Sequence, residues 1–304
     1  MSRLRIVDKA LRLLILLTGC SPMAVFANRD RMDACGLSMQ SSDFPDIDSF
    51  SSIEATFTIP DVAPGGKESE PEAPYVLAGV ALCCDNDCST RLFAGLWAYD
   101  GKGARQGYTA EPVFQLSPQF SWAPLSNAYH FGLNSSDIFR TRIEVLSPTR
   151  AQLTFAKFES SKSNLTVTVD VSIDEEKGWP ILSTTSRGNG AEDRHKFDAK
   201  DNGSSRTPKL CGDSAWWFLS DNFDPGQNIE RPGALRRFSP VLVGNHQLQT
   251  TDGKSFPADL GLSGQPRFWN MVRTSNGQNR TLCVARMLAD SGMTLLHSPH
   301  DWGV

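Results

Sequence analysis

The chain has 304 residues, with 34 Asp and Glu against 30 Lys and Arg and a formal net charge of −4. This length is enough to bury the core of one large domain or of two small ones. The mildly acidic balance argues against a nucleic-acid partner, which requires a clustered basic surface.

The N-terminus has the pattern of a secretory leader. Four basic residues within residues 3–12 precede the apolar run at 13–17, and Val25-Phe26-Ala27 offers small residues at the cleavage spacing. We therefore predict a signal peptide over residues 1–27 and a secreted, extracellular protein. A buried helix is the alternative, and Leu17-Thr-Gly-Cys20 also fits a bacterial lipobox. No later stretch approaches the roughly 20 apolar residues of a membrane span, so none is predicted.

The cysteines agree with an oxidising compartment. Removal of Cys20 with the leader leaves six of the seven cysteines, an even number that can form three disulfides. Zinc binding by Cys83, Cys84 and Cys88 is the alternative, but a secreted chain favours disulfides. N-glycosylation is predicted at the acceptor sequons of Asn134, Asn164, Asn202 and Asn279.

After an N-terminal segment at 28–49, the pattern is that of short strands separated by turn residues. Strands without long helical periods predict an all-β fold, an antiparallel β-sandwich. The predicted strands cover residues 52–59, 75–82, 91–99, 110–116, 138–146, 151–158, 165–173, 214–219, 238–249 and 281–285.

Two segments depart from this pattern. Residues 174–209 are rich in Ser, Gly, Asn and charged residues, with one apolar island at 179–182. Such a composition predicts a mobile surface insertion outside both sheets. Residues 254–304 are predicted to form a C-terminal extension that can complete the sandwich.

Five segments, in order, resemble strands of the glutamic peptidases, or eqolisins. Cys211-Gly-Asp-Ser-Ala-Trp-Trp217 resembles Cys-x-x-x-Ala-Glu-aromatic. Cys88-Ser-Thr-Arg-Leu-Phe-Ala-Gly-Leu-Trp-Ala-Tyr99 resembles Cys-x-Thr-x-x-Leu-Gln-Thr-Gly-x-Asp-aromatic. Pro112-Val-Phe-Gln-Leu-Ser-Pro118 resembles Ala-Trp-Tyr-Glu-Trp-Tyr-Pro, Ala78-Gly-Val80 resembles Val-Gly-Ile, and Phe238-Ser-Pro-Val241 resembles a further strand. The resemblance covers residues 50–253 apart from 174–209, and it implies a concanavalin A-like sandwich of two packed sheets.

The resemblance also implies a chemistry, in which a glutamate is the general base on water and a glutamine amide stabilises the oxyanion. Here Trp216 stands for the glutamate and Ala94 for the glutamine, while other polar cleft positions fall on Leu77, Ala81, Ala98 and Gln115. A general base typically contributes about 10²–10⁴ in rate, and one oxyanion donor on the order of 3 kcal/mol. The prediction is therefore an inactive pseudo-peptidase with no catalytic residues and no cofactor.

Strand alternation gives these positions an orientation. Leu92, Ala94, Leu96 and Ala98 share one face, because alternate residues of a strand point the same way. The resemblance implies that this face lines the cleft. On that basis, Phe93, Trp97 and Tyr99 are expected to point into the core between the sheets.

The cleft is thus expected to be apolar and to bind a peptide or a carbohydrate. The alternative is that the same side chains only fill the former cleft. The predicted binding residues are Leu77, Ala81, Leu96, Ala98, Gln115, Trp216 and Phe218.

The resemblance implies one disulfide, Cys88–Cys211, because both residues stand where the family motifs have cysteines. It leaves the pairing of Cys35, Cys83, Cys84 and Cys283 open. Nothing in the sequence indicates an oligomeric state.

Two other functions remain as alternatives. One is an active acid endopeptidase with displaced catalytic residues, in which Glu111, Gln115 or Asp213 lies nearer the cleft. The other is a lectin- or glucanase-like carbohydrate-binding protein, since the same sandwich hosts such functions.

Two short motifs carry less information about function. Gly212-Asp-Ser214 resembles the surroundings of some hydrolase nucleophiles, but no Gly-x-Ser-x-Gly elbow exists. His297-Ser-Pro-His-Asp301 contains metal-ligand residue types, yet Pro299 argues against helical ligand spacing. We predict no metal site there and a disordered tail.

Overall fold

β-Strands make up almost all of the regular structure. The computed structural model describes residues 34–63, 75–86, 88, 90–99, 109–117, 123–124, 132–158, 165–174, 179–187, 192–195, 209–220, 238–257, 266–275, 278–288 and 292–299. They include one 3-10 turn, Ser41–Asp43, and these strands: β1 (Ala34–Gln40), β2 (Phe50–Thr58), β3 (Tyr75–Cys83), β4 (Arg91–Tyr99), β5 (Ala110–Ser117), β6 (Ala123–Pro124), β7 (Ile138–Ser147), β8 (Arg150–Phe158), β9 (Leu165–Asp174), β10 (Trp179–Arg187), β11 (Glu192–His195), β12 (Ser214–Ser220), β13 (Val241–Thr250), β14 (Ser255–Pro257), β15 (Arg267–Trp269), β16 (Met271–Ser275), β17 (Gln278–Met287) and β18 (Thr294–His297).

The strands form two antiparallel sheets. A seven-stranded sheet has the order β15-β1-β12-β3-β4-β5-β6. An 11-stranded sheet has the order β11-β10-β9-β8-β7-β2-β13-β18-β17-β16, with β14 paired to β13. One apolar core holds side chains from both sheets, among them Val80 and Trp217 from the first and Phe57 and Leu153 from the second. The predicted all-β sandwich is confirmed.

Alternation of apolar and polar residues explains why the large sheet forms. In β8, Leu153 and Phe155 are buried in the inter-sheet core, while Gln152 and Thr154 are only partly buried on the opposite face. Leu153 lies directly opposite Val169 on β9, which is also buried. Full burial of such a side chain contributes about 1.5–3 kcal/mol, so this period-two pattern fixes which face packs inward.

Both sheets extend beyond residues 50–253. The strand β1 lies between β15 and β12, with Cys35 and Leu37 in the inter-sheet core. At the other end of the chain, β18 pairs with β13 and β17 pairs with β18. Residues 34–40 and much of 254–304 therefore belong to the sheets themselves.

The prediction of a mobile insertion at 174–209 is wrong for its first half. Trp179–Arg187 forms β10, which pairs with β9 along its whole length, and Glu192–His195 forms β11, which pairs with β10. β-Branched Ile181, Thr184 and Thr185 favour a strand, and polar residues suit the edge of a sheet. Composition alone does not reveal β10, because this strand is held in the sheet by its pairing with β9.

The predicted Cys88–Cys211 disulfide is also wrong. Three disulfides lie within the described residues, and they pair Cys35 with Cys283, Cys83 with Cys88, and Cys84 with Cys211. Because β12 pairs with β3 so that Ser214 lies opposite Cys83, the residue after β3 and the residues before β12 meet at one end of this strand pair. Cys84 therefore reaches Cys211, while Cys88 closes the turn back onto Cys83.

Several predictions fall on residues that the structure does not describe. These are the signal peptide at 1–27, the sequons of Asn164 and Asn202, and His300 with Asp301. Among the described residues, none of the helices has the length and apolar character needed to cross a membrane. The same residues include no group of three or more His, Cys, Asp or Glu side chains that could hold a metal ion.

Candidate functional site: the aromatic face of the seven-stranded sheet

The face of the seven-stranded sheet that points away from the inter-sheet core carries a separate apolar cluster, which we call the aromatic face. It includes Phe93, Trp216 and Phe218, with Trp97 and Trp269 packed against them. Since the opposite face of the same strands fills the inter-sheet core, the sheet buries apolar side chains on both sides.

One row of directly opposed residues crosses the middle of this face. Trp216 on β12 lies opposite Ala81 on β3, Ala81 opposite Phe93 on β4, and Phe93 opposite Gln115 on β5. We call these four residues the central row. Directly opposed residues in an antiparallel sheet point to the same side, so all four side chains share the aromatic face.

The next row contains two adjacent glycines. Gly79 lies opposite Gly95, and a Cβ on Gly79 would approach Phe93 Cε2 to 2.6 Å and the Gly95 Cα to 2.7 Å. The two glycines therefore leave room for the Phe93 ring, whose centroid lies 5.2 Å from that of Phe218. A phenyl ring fills the space above this part of the sheet.

Trp216 packs against a second tryptophan at the edge of the face. Its ring stacks on Trp269 with centroids 5.2 Å apart and planes inclined by 29°. Trp216 Nε1 donates to Ser214 Oγ, and Trp269 Nε1 donates to Ser38 Oγ. Both indole N–H groups are satisfied within the fold, and Trp269 is only partly buried.

Polar groups occupy two ends of the face. At one end, Arg91 is 2% exposed, and its guanidinium donates to Gln115 Oε1 at 2.9 Å and to the Cys88 carbonyl at 2.6 Å. At the other end, the Tyr99 hydroxyl donates to Glu111 Oε1. Glu111 lies directly opposite Trp97 on β4.

The expected orientation of β4 is wrong by one residue. Ala94, Leu96 and Ala98 lie in the inter-sheet core, whereas Phe93 and Trp97 belong to the aromatic face. The motif that predicts this orientation begins at Cys88, before the turn that leads into β4, and a slip of one residue moves every side chain of a strand to the other face.

Ala94 and Trp216 therefore do not share a surface. They lie on opposite faces, and β3 separates their strands. Of the seven predicted binding residues, Leu96 and Ala98 are excluded because they belong to the core. The other five do lie together on the aromatic face, and each is buried: Leu77, Ala81, Gln115, Trp216 and Phe218.

Sequence reasoning missed Arg91, Trp97, Tyr99, Glu111 and Trp269 as members of this face. Trp97 and Tyr99 alternate along β4, so correct phasing of that strand would have found them. Trp269 carried no such signal, because it reaches the face only through the pairing of β15 with β1.

The two short motifs have structural roles. Ser214 Oγ donates to the Asp85 carbonyl and accepts from Trp216, so its hydroxyl supports the fold. His297 is buried and its Nδ1 lies 3.3 Å from the Ser298 carbonyl oxygen.

Comparison with known proteins gives a match at the level of structure. A structure of scytalido-glutamic peptidase with a transition state analog inhibitor matches with a TM-score of 0.53 and 14% identity, over 87% of this chain and 97% of the peptidase. The chain is similar in fold to scytalido-glutamic peptidase. A second structure of that enzyme, with a peptide-based transition state analog, matches with a TM-score of 0.52 and 15% identity over the same shares. No family model matches the sequence, and no curated protein matches it significantly.

Proposed function

We propose that this chain is a secreted pseudo-peptidase: a protein with the fold of a glutamic peptidase that lacks proteolytic activity and binds a peptide ligand at its aromatic face. The central row carries this proposal. Its four side chains are an indole, a methyl group, a phenyl ring and a carboxamide, and none is a carboxylate.

Gly79 and Gly95 indicate which positions of this chain correspond to the positions of the glutamic peptidase motifs. If Gly79 and Gly95, which lie opposite each other, represent the glycines of the Val-Gly-Ile and Gln-Thr-Gly-x-Asp patterns, the catalytic glutamine falls on Phe93. The aspartate of the Val-Gly-Ile strand then falls on Ala81, the catalytic glutamate on Trp216 and the glutamate of the third motif on Gln115. All four positions coincide with the central row. An indole in place of the glutamate cannot accept a proton from water, and a phenyl ring in place of the glutamine cannot donate a hydrogen bond to an oxyanion, so both catalytic roles are lost.

A pair of catalytic residues at positions other than those of the family is the remaining route to proteolysis. Glu111 and Gln115 both lie on β5 and on the aromatic face, four residues apart. At about 3.3 Å per residue their Cα atoms are roughly 13 Å apart. A general base has to lie about 3 Å from the water that it activates. The Gln115 oxygen also accepts from Arg91, so the two side chains are not arranged to hold one water molecule.

A peptide is the ligand that the fold supports best. One matched structure of scytalido-glutamic peptidase contains a peptide-based transition state analog. In this chain, Trp97, Tyr99 and Trp269 are the partly exposed rings on the face, and partly buried aromatic rings are common anchors for ligands. The fully buried Phe93 and Phe218 then support the surface from below.

A proteolysis assay tests the loss of activity. Purified protein incubated with denatured protein substrate between about pH 2 and 5, the acidic range in which a carboxylate base can act, should release no peptides above background. The Glu111→Gln variant is assayed in parallel. Cleavage by the unmodified protein that disappears in Glu111→Gln would establish a displaced catalytic carboxylate instead.

A carbohydrate ligand is the second candidate, favoured by the stacked Trp216 and Trp269 rings. Glycosidase activity needs two carboxylates about 5–10 Å apart, and Glu111 is the single carboxylate on the described part of the face. Titration calorimetry with a peptide library and with a soluble β-glucan separates the two ligand classes. Binding of the glucan alone, weakened by Trp269→Ala, would favour the carbohydrate.

Secretion is supported by the three disulfides and by the position of Asn134. This residue is exposed on the turn before β7, where its N–H donates to Asp137 Oδ2. Lys157 Nζ fixes the same turn through the Gly132 carbonyl at 2.7 Å. An exposed sequon on a fixed turn is accessible to glycosylation. Protein secreted by eukaryotic cells should therefore carry an N-glycan at Asn134, seen as a mass shift that Asn134→Gln removes.

A further inference from the structure

Glu111 is a buried carboxylate on an otherwise apolar part of the aromatic face. The residue is 7% exposed, and its directly opposite neighbour is Trp97. Its hydrogen bond comes from the Tyr99 hydroxyl, a neutral donor. A buried carboxylate is normally paired with a cation, because burial removes its hydration.

No described cationic side chain forms an ion pair with Glu111. Arg91 is on the same face, but it lies opposite Ser117, six residues along β5 from Glu111 and therefore roughly 20 Å away. Arg267, at the far edge of the sheet, pairs with Asp43 at 2.9 Å. Within the described residues, the negative charge of Glu111 is thus stabilised by a neutral hydroxyl alone.

Two aromatic rings lie beside this carboxylate. Trp97 and Tyr99 have ring centroids 6.5 Å apart and planes at 77°, so they form a corner. Both residues are only partly buried, in contrast to Phe93 and Phe218. The face of an aromatic ring attracts a cation, most strongly that of tryptophan.

We propose that Glu111, Trp97 and Tyr99 form a subsite for the side-chain cation of a lysine or arginine residue in the ligand. The carboxylate supplies the opposite charge, the two rings supply cation–π contacts, and the Tyr99 hydroxyl orients the carboxylate. The subsite rests on the proposed function in one respect, namely that the ligand is a peptide. It accounts for a carboxylate at a position where an apolar residue would pack at lower cost.

The first experiment uses a small cation and needs no peptide. n-Butylammonium chloride is titrated into the full-length protein, with n-butanol as the neutral control, and the indole N–H signals are followed by NMR. The ammonium ion should shift the Trp97 signal, assigned through Trp97→Phe, and Glu111→Gln should abolish the shift. An equal response to butanol, or an unchanged response in Glu111→Gln, would overturn the subsite.

The second experiment compares two peptides that differ only in lysine against norleucine. By calorimetry, the lysine peptide should bind at least about tenfold more tightly, a factor that corresponds to one well-formed cation–π and charge contact. Glu111→Gln should remove this preference, while Glu144→Gln, which alters a partly exposed carboxylate paired with Arg142 on the other sheet, should keep it. Equal affinities for the two peptides would reject the cation subsite but leave peptide binding intact. Binding of butylammonium without binding of either peptide would reject the proposed function and keep the subsite.

A measurement of thermal stability distinguishes a binding role of Glu111 from a structural role. Glu111→Gln keeps the size of the side chain and an oxygen that accepts from Tyr99, and it removes a buried charge. Its thermal midpoint should therefore equal or exceed that of the unmodified protein. A lower midpoint together with an unchanged lysine preference would show that Glu111 serves the fold instead.

Discussion

Gly79 shows how closely two neighbouring strands and one ring can approach. A Cβ at this position would lie 2.4 Å from the Ala94 carbonyl oxygen and 2.6 Å from the Phe93 ring. The carbonyl belongs to the backbone of β4 and cannot move without disturbing its hydrogen bonds. The absence of a side chain is thus a packing requirement here.

Gly79→Ala should therefore destabilise the protein by about 1–3 kcal/mol, the usual cost of overpacking a core. Gly244→Ala is the matched control, since the atoms nearest to its Cβ would be Met293 Cγ and Thr56 Oγ1, both at 3.4 Å. That variant should be neutral within about 0.5 kcal/mol. Urea unfolding of both variants measures the difference, and equal stabilities would contradict the close approach of β3 and β4.

His246 is a buried titratable group outside the aromatic face. β13 has a bulge between Gly244 and Gln247, with Asn245 in the left-handed region at φ 51°, and His246 is 4% exposed. Its ring packs edge-on against Trp217, with centroids 5.5 Å apart, and its Nε2 lies 3.3 Å from Thr294 Oγ1. Burial lowers the pKa of His246 from 6.5 to about 4, although a backbone hydrogen bond with Gly292 opposes this.

This pKa predicts a loss of stability in acid. The unfolded chain binds a proton at the ordinary pKa, whereas the folded protein does so only near pH 4. The contribution of His246 to the free energy of unfolding is therefore complete above about pH 6.5. It falls by a total of about 3 kcal/mol as the pH drops to about 4, and it is constant below that pH. Urea unfolding at pH 7.5 and pH 4 should show this fall, and His246→Gln should reduce it. Identical pH dependence in the two proteins would exclude His246 as its source.

The phase of a strand was the main limit on predicting the site from sequence. On β3 the motif is anchored at Gly79, and it predicts the correct face for Leu77 and Ala81. On β4 the motif is anchored at Cys88, before a turn in which Cys88 has φ 59°, and it predicts the wrong face for Ala94. A turn of unknown shape carries no phase information, whereas a glycine required by packing does.

At the scale of elements, two disulfides form at the C-terminal end of β3. Cys83–Cys88 closes a sequence separation of 5, and Cys84–Cys211 closes one of 127. In the loop-entropy model these correspond to about 2 and about 5 kcal/mol of stabilisation, respectively.

Replacement of both Cys84 and Cys211 by Ser should therefore lower the free energy of unfolding more than replacement of both Cys83 and Cys88 by Ser. Thermal unfolding of the two double variants measures the order. Peptide mapping after partial reduction checks the pairing itself, and a peptide that joins Cys88 to Cys211 would contradict the structure.

Ten predicted strands, from β2 to β17, were found because alternating or continuous apolar runs are visible in a single sequence. β10 and β11 were not, because strands at or next to the edge of a sheet can be polar and their stability comes from hydrogen bonds to a neighbour. β1 and β15 are similar cases, since each is held in the sheet by a partner distant in sequence. Local patterns contain no information about such partners.

For the whole molecule, the described strands in the last quarter of the chain contribute side chains to the core. Met271, Cys283 and Leu296 are fully buried, and Cys283 and Leu296 lie on strands that join the 11-stranded sheet. β18 also covers the edge of β13 next to Val241. The described sandwich is therefore not complete at residue 253.

A chain that ends at residue 253 should consequently fail to fold cooperatively, because it exposes the edges of β1 and β13 and loses one disulfide. A chain that ends at residue 299 keeps every described strand and is the control. Circular dichroism melts and size-exclusion chromatography should show aggregation or a broad transition only for the shorter chain. A sharp transition at the full-length midpoint would contradict this.

The Cys35–Cys283 disulfide links strands from opposite ends of the chain, with a sequence separation of 248. A mechanical force applied to the two chain ends would pass from residue 35 through the sulfur atoms directly to residue 283. The strands between these residues would carry no tension. In a single-molecule pulling experiment the oxidised sandwich should therefore resist extension, and a reducing agent should release the contour length of the whole enclosed loop in addition.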